Sequence, residues 1–77
     1  MFIIHCNNAY VSEHRTWNAC LRKIEQSVRA VAREHGCKGN LVNSASRKDG
    51  TGLYYVSGFR EWRLDNGTLL NYTIEKQ

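Results

Sequence analysis

The segment SEHRTWNACLRKIEQSVRAVAREHG, residues 12–36, carries the clearest structural pattern in the chain. Its apolar residues recur at spacings of three and four, which places them on one face of a helix. They are Trp17, Cys20, Leu21, Ile24, Val28, Val31 and His35. Ser12 is the expected N-cap, with Thr16 as an alternative one turn later, and Gly36 suits the left-handed position after a helix. The segment therefore predicts one long amphipathic helix.

Arginines recur on the face of this helix opposite to the apolar stripe. At 3.6 residues per turn they lie about 140–180° from Ile24 around the axis. They are Arg15, Arg22, Arg29 and Arg33. Such a row can follow a phosphate backbone or an acidic groove. It can equally be a solvated face on which Glu25 pairs with a neighbouring arginine.

Short segments rich in β-formers lie on both sides of the helix. They are expected at residues 1–6, 41–47, 53–59 and 68–75, with residues 62–64 either continuing the third strand or forming another. Residues 7–11 are expected to be a connection, while Asp49-Gly50 and Asn66-Gly67 are hairpin signals. The fold class is therefore predicted as α+β, with one helix packed on one face of a three- to five-stranded antiparallel sheet. The predicted order is β-α-β-β-β, in a single domain over residues 1–77.

Composition indicates a small soluble domain. Hydrophobic residues make up 42% of the 77 and charged residues 23%, which is usual for a globular protein. No apolar run approaches the roughly 20 residues that a membrane span needs, and the start of the chain lacks the pattern of a signal peptide. We therefore expect a cytoplasmic protein with no membrane partner.

The cysteines and histidines show no ligand spacing. Cys6, Cys20 and Cys37 are an odd number without a C-x-x-C pair, which favours reduced thiols over a disulfide framework. The histidines do not complete a zinc-finger pattern with them. We expect no metal and no other cofactor.

The charge balance favours an acidic partner. Eleven Lys and Arg against seven Asp and Glu give a net charge of +4, which suits nucleic acid or an acidic protein surface. Beyond the helix, the candidate contact residues are Arg47, Lys48, Tyr54, Tyr55, Arg60 and Arg63. Strand alternation is expected to turn one of the two tyrosines away from the helix, beside an arginine. That combination suits base stacking or a protein hot spot, although such a tyrosine can also simply cover the sheet.

Catalytic patterns are not found in the sequence. The carboxylates are scattered, and no Ser-His-Asp or Cys-His arrangement is indicated by spacing. We therefore expect no enzyme and no small-molecule substrate. The catalytic alternative is a small ribonuclease toxin, which would act on a phosphodiester with residues such as His14, Arg47 and Tyr55.

Three stretches of the chain resemble small inhibitors encoded by phages and mobile elements. They are the helix end VRAVAREHGC at residues 28–37, the turn DGTGL at residues 49–53 and the strand Tyr54-Tyr55-Val56. In element order and size they resemble anti-CRISPR proteins in particular, over about half of the chain. The resemblance implies a non-enzymatic protein that occupies a nucleic-acid-binding surface of a bacterial defence complex. Many anti-CRISPR proteins are acidic mimics of nucleic acid, whereas this basic chain favours contact with acidic surfaces or with DNA itself.

We therefore expect a small non-catalytic binding protein of phage or mobile-element type that inhibits or regulates a nucleic-acid-handling complex. Its most specific form is an anti-CRISPR-like inhibitor that blocks DNA access. The expected partner is a protein or nucleoprotein complex of a bacterial host. The alternatives are a regulator that binds DNA or RNA directly, the ribonuclease toxin, and a structural or oligomeric subunit with no role at nucleic acid.

Overall fold

Five strands and one helix make up the computed structural model, which describes residues 1–77. In chain order the elements are β1 (Phe2–Cys6), β2 (Ala9–His14), α1 (Trp17–Glu34), β3 (Gly39–Lys48), β4 (Tyr55–Leu64) and β5 (Leu69–Lys76). The strands form one antiparallel sheet in the order β2-β1-β5-β4-β3, and α1 packs on one face of it. The α+β class with a single helix is therefore confirmed.

The predicted order β-α-β-β-β is wrong because a second strand precedes the helix. Asn7 and Asn8, expected to begin a longer connection, form a tight turn with φ of 50° and 71°. Asparagine tolerates this left-handed region, and a hairpin turn of two such residues matches the twist of the strands that it joins. The chain therefore returns at once along β1 as β2, and the observed order is β-β-α-β-β-β.

The helix begins one turn later than Ser12 would require. Thr16 is the N-cap, and its Oγ1 accepts a hydrogen bond from the backbone N–H of Ala19 at 3.1 Å. Ser12 as N-cap is therefore wrong, since that residue pairs with β1 inside β2. Arg15 precedes the helix and does not belong to the arginine row. At the other end Gly36 has the expected positive φ, +65°.

The core lies between α1 and the face of the sheet formed by β1, β4 and β5. Its members are Phe2, Ile4, Cys20, Ile24, Val28, Ala32, Leu64, Leu70, Tyr72 and Ile74. The alternation predicted for β5 is confirmed, since Leu70, Tyr72 and Ile74 are all buried. His35, expected on the apolar stripe, is instead the exposed C-cap, and its ring Nδ1 lies 3.0 Å from Nδ2 of Asn66.

The long hairpin of β3 and β4 departs furthest from expectation. One continuous strand, β4, contains the segments that were predicted at residues 53–59 and 62–64. Residues 53 and 54 are the exception, since they lie in the loop before β4. β3 is the edge strand of the sheet, and it is exposed at every residue except Gly39. Its pairing with β4 shifts register at two points, between Leu41 and Asn43 and between Arg47 and Lys48.

The one helix, α1, does not combine the length with the apolar character that crossing a membrane requires.

Gly58 lies where the indole of Trp17 crosses β4. A Cβ atom at this position would lie 2.8 Å from Cη2 of Trp17 and 2.8 Å from the backbone oxygen of Ala45. Both separations are far below van der Waals contact. The close approach of helix to sheet at this point therefore requires glycine.

Substituting Gly58 tests this packing. Because the new methyl group must displace either the indole or the backbone of β3, we expect Gly58→Ala to lower the free energy of unfolding by about 1–3 kcal/mol. Urea titration followed by tryptophan fluorescence measures it. Gly50→Ala is the matched control, since a Cβ there meets nothing within 4 Å. Equal stabilities of the two variants would contradict the proposed packing.

The pH dependence of stability follows from two buried acids. Burial raises the pKa of the Cys20 thiol above its ordinary 9.0. Burial also raises the pKa of Tyr72 above its ordinary 10.0, although the hydrogen bond to Ser27 partly opposes this rise. Groups with a raised pKa in the folded state contribute full stability below their unfolded pKa and lose it as the pH rises through the folded pKa. Urea titrations at pH 8 and pH 11 should therefore show a fall in the free energy of unfolding. Tyr72→Phe should reduce that fall, whereas Tyr10→Phe, at an exposed ring, should leave it unchanged.

Candidate functional site

A stack of two aromatic rings joins the start of the helix to the β3–β4 hairpin. Trp17 is the first residue of α1 and Tyr55 the first of β4, and their ring centroids lie 4.7 Å apart at an interplanar angle of 17°. Arg15 lies two residues before the indole, and the preceding His14 pairs with Phe2 at the end of the sheet where the hairpin turns. We call the surface formed by Arg15, Arg47, Lys48, Tyr54 and Tyr55 the hairpin end.

Cations flank this stack on both sides. Lys48 Nζ lies 5.0 Å from the ring centroid of Tyr55, and Arg60 Cζ lies 5.9 Å from that of Trp17. Both distances fall within the range of cation–π attraction. The edge of Phe2 also meets Trp17, at 5.7 Å and 73°. The order Lys48, Tyr55, Trp17, Arg60 is therefore a layered unit that holds the hairpin against the helix.

The loop at the tip of the hairpin is organised by Asp49. Its backbone N–H donates to the carbonyl of Tyr54 at 2.8 Å, and its carboxylate accepts from the backbone N–H and the hydroxyl of Thr51. The hydrogen bonds that the carboxylate accepts, that of the Thr51 side chain first, lower the pKa of Asp49. The loop thus presents Leu53 and Tyr54 to solvent, with 71% and 63% of their surface exposed.

Neither tyrosine lies on the sheet face away from the helix, where one of them was expected. Tyr54 precedes β4 and belongs to the loop. Tyr55 stacks on the helix side because the register shift between Arg47 and Lys48 inserts an extra residue, Val56, into β4 and reverses the alternation. A shift of one residue moves a side chain to the opposite face of a sheet.

Arg60 is engaged in holding the sheet together. Its Nη1 donates to the backbone oxygens of Ala45 at 3.1 Å and Phe59 at 2.8 Å, and its Nη2 donates to Oγ of Ser46 at 3.2 Å. With the indole of Trp17 beside it, this guanidinium joins β3, β4 and α1. Its contacts are therefore those of a positioning residue.

The remaining predicted cations lie apart from the hairpin end. Arg22, Arg29 and Arg33 are exposed on α1, and Arg29 forms an ion pair with Glu25 at 3.8 Å. Two of these arginines also line a groove of about 560 Å³ beside the helix, whose apolar lining includes Trp62. An exposed ion pair of this kind contributes little to stability. The helix row is thus a second, separate cationic surface.

The sheet face away from the helix holds residues that the sequence argument missed. Strand pairing aligns Tyr10, His5, Thr73, Phe59 and Ala45 across all five strands. Arg63 lies on the same face, paired with Asn40 and Leu69. The alternation of β1 and β2 could have revealed this row, but only once the turn at residues 7–8 had been recognised.

Chemistry-bearing side chains do not gather elsewhere. No three His, Cys, Asp or Glu residues are grouped closely enough to hold a metal ion, and all three cysteines are free thiols. Of the residues named for the ribonuclease alternative, His14 lies in β2, with Nε2 2.9 Å from Oγ of Ser12. Arg47 and Tyr55 lie on the hairpin, and no hydrogen bond joins the three.

Comparison with family models, with curated proteins and with solved structures finds no match to this chain.

The two arginines of β4 provide a test of these assignments. Arg60→Ala removes three hydrogen bonds and the contact with Trp17, so we expect the free energy of unfolding to fall by about 1–3 kcal/mol. Arg63→Ala removes an exposed cation from the same strand, and its effect should stay within about 0.5 kcal/mol. Urea titration measures both. A loss as large for Arg63 as for Arg60 would contradict the positioning role.

Proposed function

We propose that this protein is a non-catalytic binding protein that docks, through its hairpin end, on an anionic surface of a nucleic-acid-handling complex and hinders the access of DNA. The observation that carries the proposal is the Trp17–Tyr55 stack, which fixes the cations of the hairpin end and its apolar tip in one surface. In the most specific form, which rests on the resemblance to anti-CRISPR proteins, the complex is a bacterial CRISPR effector and the protein comes from a phage or mobile element.

Charge at the hairpin end supports an anionic partner. Arg15, Arg47 and Lys48 are exposed there, whereas Asp49, the carboxylate of the loop, accepts hydrogen bonds from Thr51 within its own turn. The pairing of β3 with β4 places Arg47 on the face of the sheet away from the helix. Lys48 lies beside Tyr55 on the helix side. Cations on both sides of one hairpin would steer it towards an acidic groove and set its orientation there.

The apolar tip favours a protein surface over bare nucleic acid. Leu53 and Tyr54 are the most exposed large hydrophobic residues of the chain. Phosphates offer such side chains no contact, whereas apolar and aromatic anchors surrounded by polar residues are typical of protein interfaces. Direct binding to DNA or RNA through the same cations is the second candidate, because Tyr54 could also stack on a base.

The shape of the chain suits a blocking role. Its principal extents are 42 × 20 × 19 Å, and the longest equals about 12 base pairs at about 3.4 Å each. A protein anchored by one end of this axis would lie across a DNA path of that length.

Two double charge reversals distinguish the hairpin end from the helix row. Each of Arg47→Glu/Lys48→Glu and Arg22→Glu/Arg29→Glu changes the net charge by the same amount, so each is the control for the other. We expect the tagged protein to retain a protein complex from nuclease-treated bacterial lysate, and we expect the hairpin reversal to reduce recovery at least about tenfold, a change worth about 1.4 kcal/mol. The variant with the helix reversal should recover the complex as the unmodified protein does. Circular dichroism checks that both variants fold.

The captured complex, identified by mass spectrometry and purified, should bind its DNA more weakly when the protein is added. Recovery of nucleic acid alone, lost on nuclease treatment, would identify a direct nucleic-acid binder instead. Loss of binding with the helix reversal alone would move the interface to the helix row. Cleavage of RNA by the purified protein would favour the toxin.

A further inference from the structure

The outer edge of β3 is a long, unpaired strand edge. β3 is the last strand of the sheet, and over its ten residues it pairs only with β4. Natural sheets usually protect such edges with proline, inward charges, bulges or a covering element. The opposite edge, β2, is six residues long and interrupted by a register shift. The middle of β3 has neither a proline nor a charged side chain, and no register shift interrupts it.

Residues 43–47 of β3 form a regular pairing segment. They pair with β4 in unbroken register, from Asn43 opposite Glu61 to Arg47 opposite Ser57, between the two shifts. All five are exposed. The three residues in the middle, Ser44, Ala45 and Ser46, are small and uncharged, so their side chains leave room for another strand to approach.

The hydrogen bonds of this segment show which backbone groups face outward. The carbonyl of Ala45 points towards β4, because the Arg60 side chain of that strand donates to it and Gly58 packs beside it. Backbone groups of successive residues point to opposite sides of a strand, so those of Ser44 and Ser46 face away from β4. The N–H of Ser44 accordingly donates to Oδ1 of Asn43 at 2.9 Å and not to a neighbouring strand, and pairing with another strand would exchange this exposed bond for one to a backbone carbonyl.

We propose that two copies of this chain pair through β3, antiparallel and centred on Ala45, to form one continuous ten-stranded sheet with both helices on the same side. A two-fold axis through the pair of Ala45 residues places Ser44 of each copy opposite Ser46 of the other. These are the residues whose backbone groups face outward. The methyl groups of the two Ala45 residues meet where antiparallel strands approach most closely, at Cα separations of about 4.5 Å.

Charge complementarity favours a second copy as the occupant. In this register Arg47 of each copy lies opposite Asn43 of the other copy. Asn43 in turn pairs with Glu61 on β4 of its own chain, so the two side chains share one face of the sheet. The only ion pair within one chain joins Arg29 and Glu25, so Glu61 is left without a cation. The antiparallel arrangement thus brings an arginine towards a free carboxylate and keeps the two Arg47 side chains apart, whereas a parallel arrangement would bring like charges together.

The oligomeric state of the full chain tests the proposal. Sedimentation equilibrium between micromolar and millimolar concentrations should show a concentration-dependent mass that rises to twice 8.9 kDa. Ala45→Arg would place two like charges directly opposite each other and should weaken dimerisation at least about tenfold. Ala45→Ser is the conservative control and should retain the dimer. Circular dichroism checks the fold of both.

A disulfide test fixes the register independently of charge. In the proposed dimer the two residues at position 45 lie within disulfide distance, so Ala45→Cys should cross-link on mild oxidation, with the 45–45 bond identified by mass spectrometry. Asn43→Cys, on the same strand and face, should not, because the two positions 43 lie about 13 Å apart along the strands. A chain that stays at 8.9 kDa at every concentration overturns the proposal and leaves this edge to an extended segment of another protein. A dimer insensitive to Ala45→Arg, or equal cross-linking of the two cysteine variants, would also overturn it.

Discussion

The packing of the Trp17 indole across Gly58 is the contact on which the rest of the arrangement depends. It fixes the start of the helix over β4, because no other residue than glycine leaves room for the ring. Tyr55 then stacks on the indole, and Lys48 and Arg60 lie beside the two rings. One aromatic side chain therefore sets the position of the helix and the orientation of the hairpin together.

This anchoring also explains which parts of the sheet remain uncovered. The helix packs its buried face against β1, β4 and β5, and β3 extends beyond it as an exposed edge. The hairpin end and the edge of β3 thus arise from the same constraint but have different chemistry. The first is cationic with an apolar tip, which suits a different molecule. The second has small, uncharged residues along its middle, which suits pairing with a copy of itself.

Periodic patterns in the sequence were sufficient for the helix and for β5, since Ile24, Val28, Leu70 and Ile74 are buried as their spacing predicts. Features that depend on pairing between strands were not predictable in this way. The turn at residues 7–8 created β2 and thereby excluded Arg15 from the helix. The side taken by Tyr55 follows from a register shift in β4, and the role of Arg60 follows from backbone oxygens on β3. Such features are long-range consequences of packing, and no local pattern carries them.

The small core gives a physical reason for pairing through β3, and such pairing would determine where the hairpin ends lie. Ten of the 77 residues are buried, and a domain of this size buries only about 60% of the surface that its unfolded chain exposes. Pairing through β3 would add strand contacts without requiring a larger core. Because the two-fold axis runs through Ala45, it directs the two hairpin ends of a dimer away from each other along the strands. A dimer would therefore present its cationic tips at opposite extremities, and it could engage two separate anionic surfaces of one large complex, where the second contact gains from the effective concentration that the first creates.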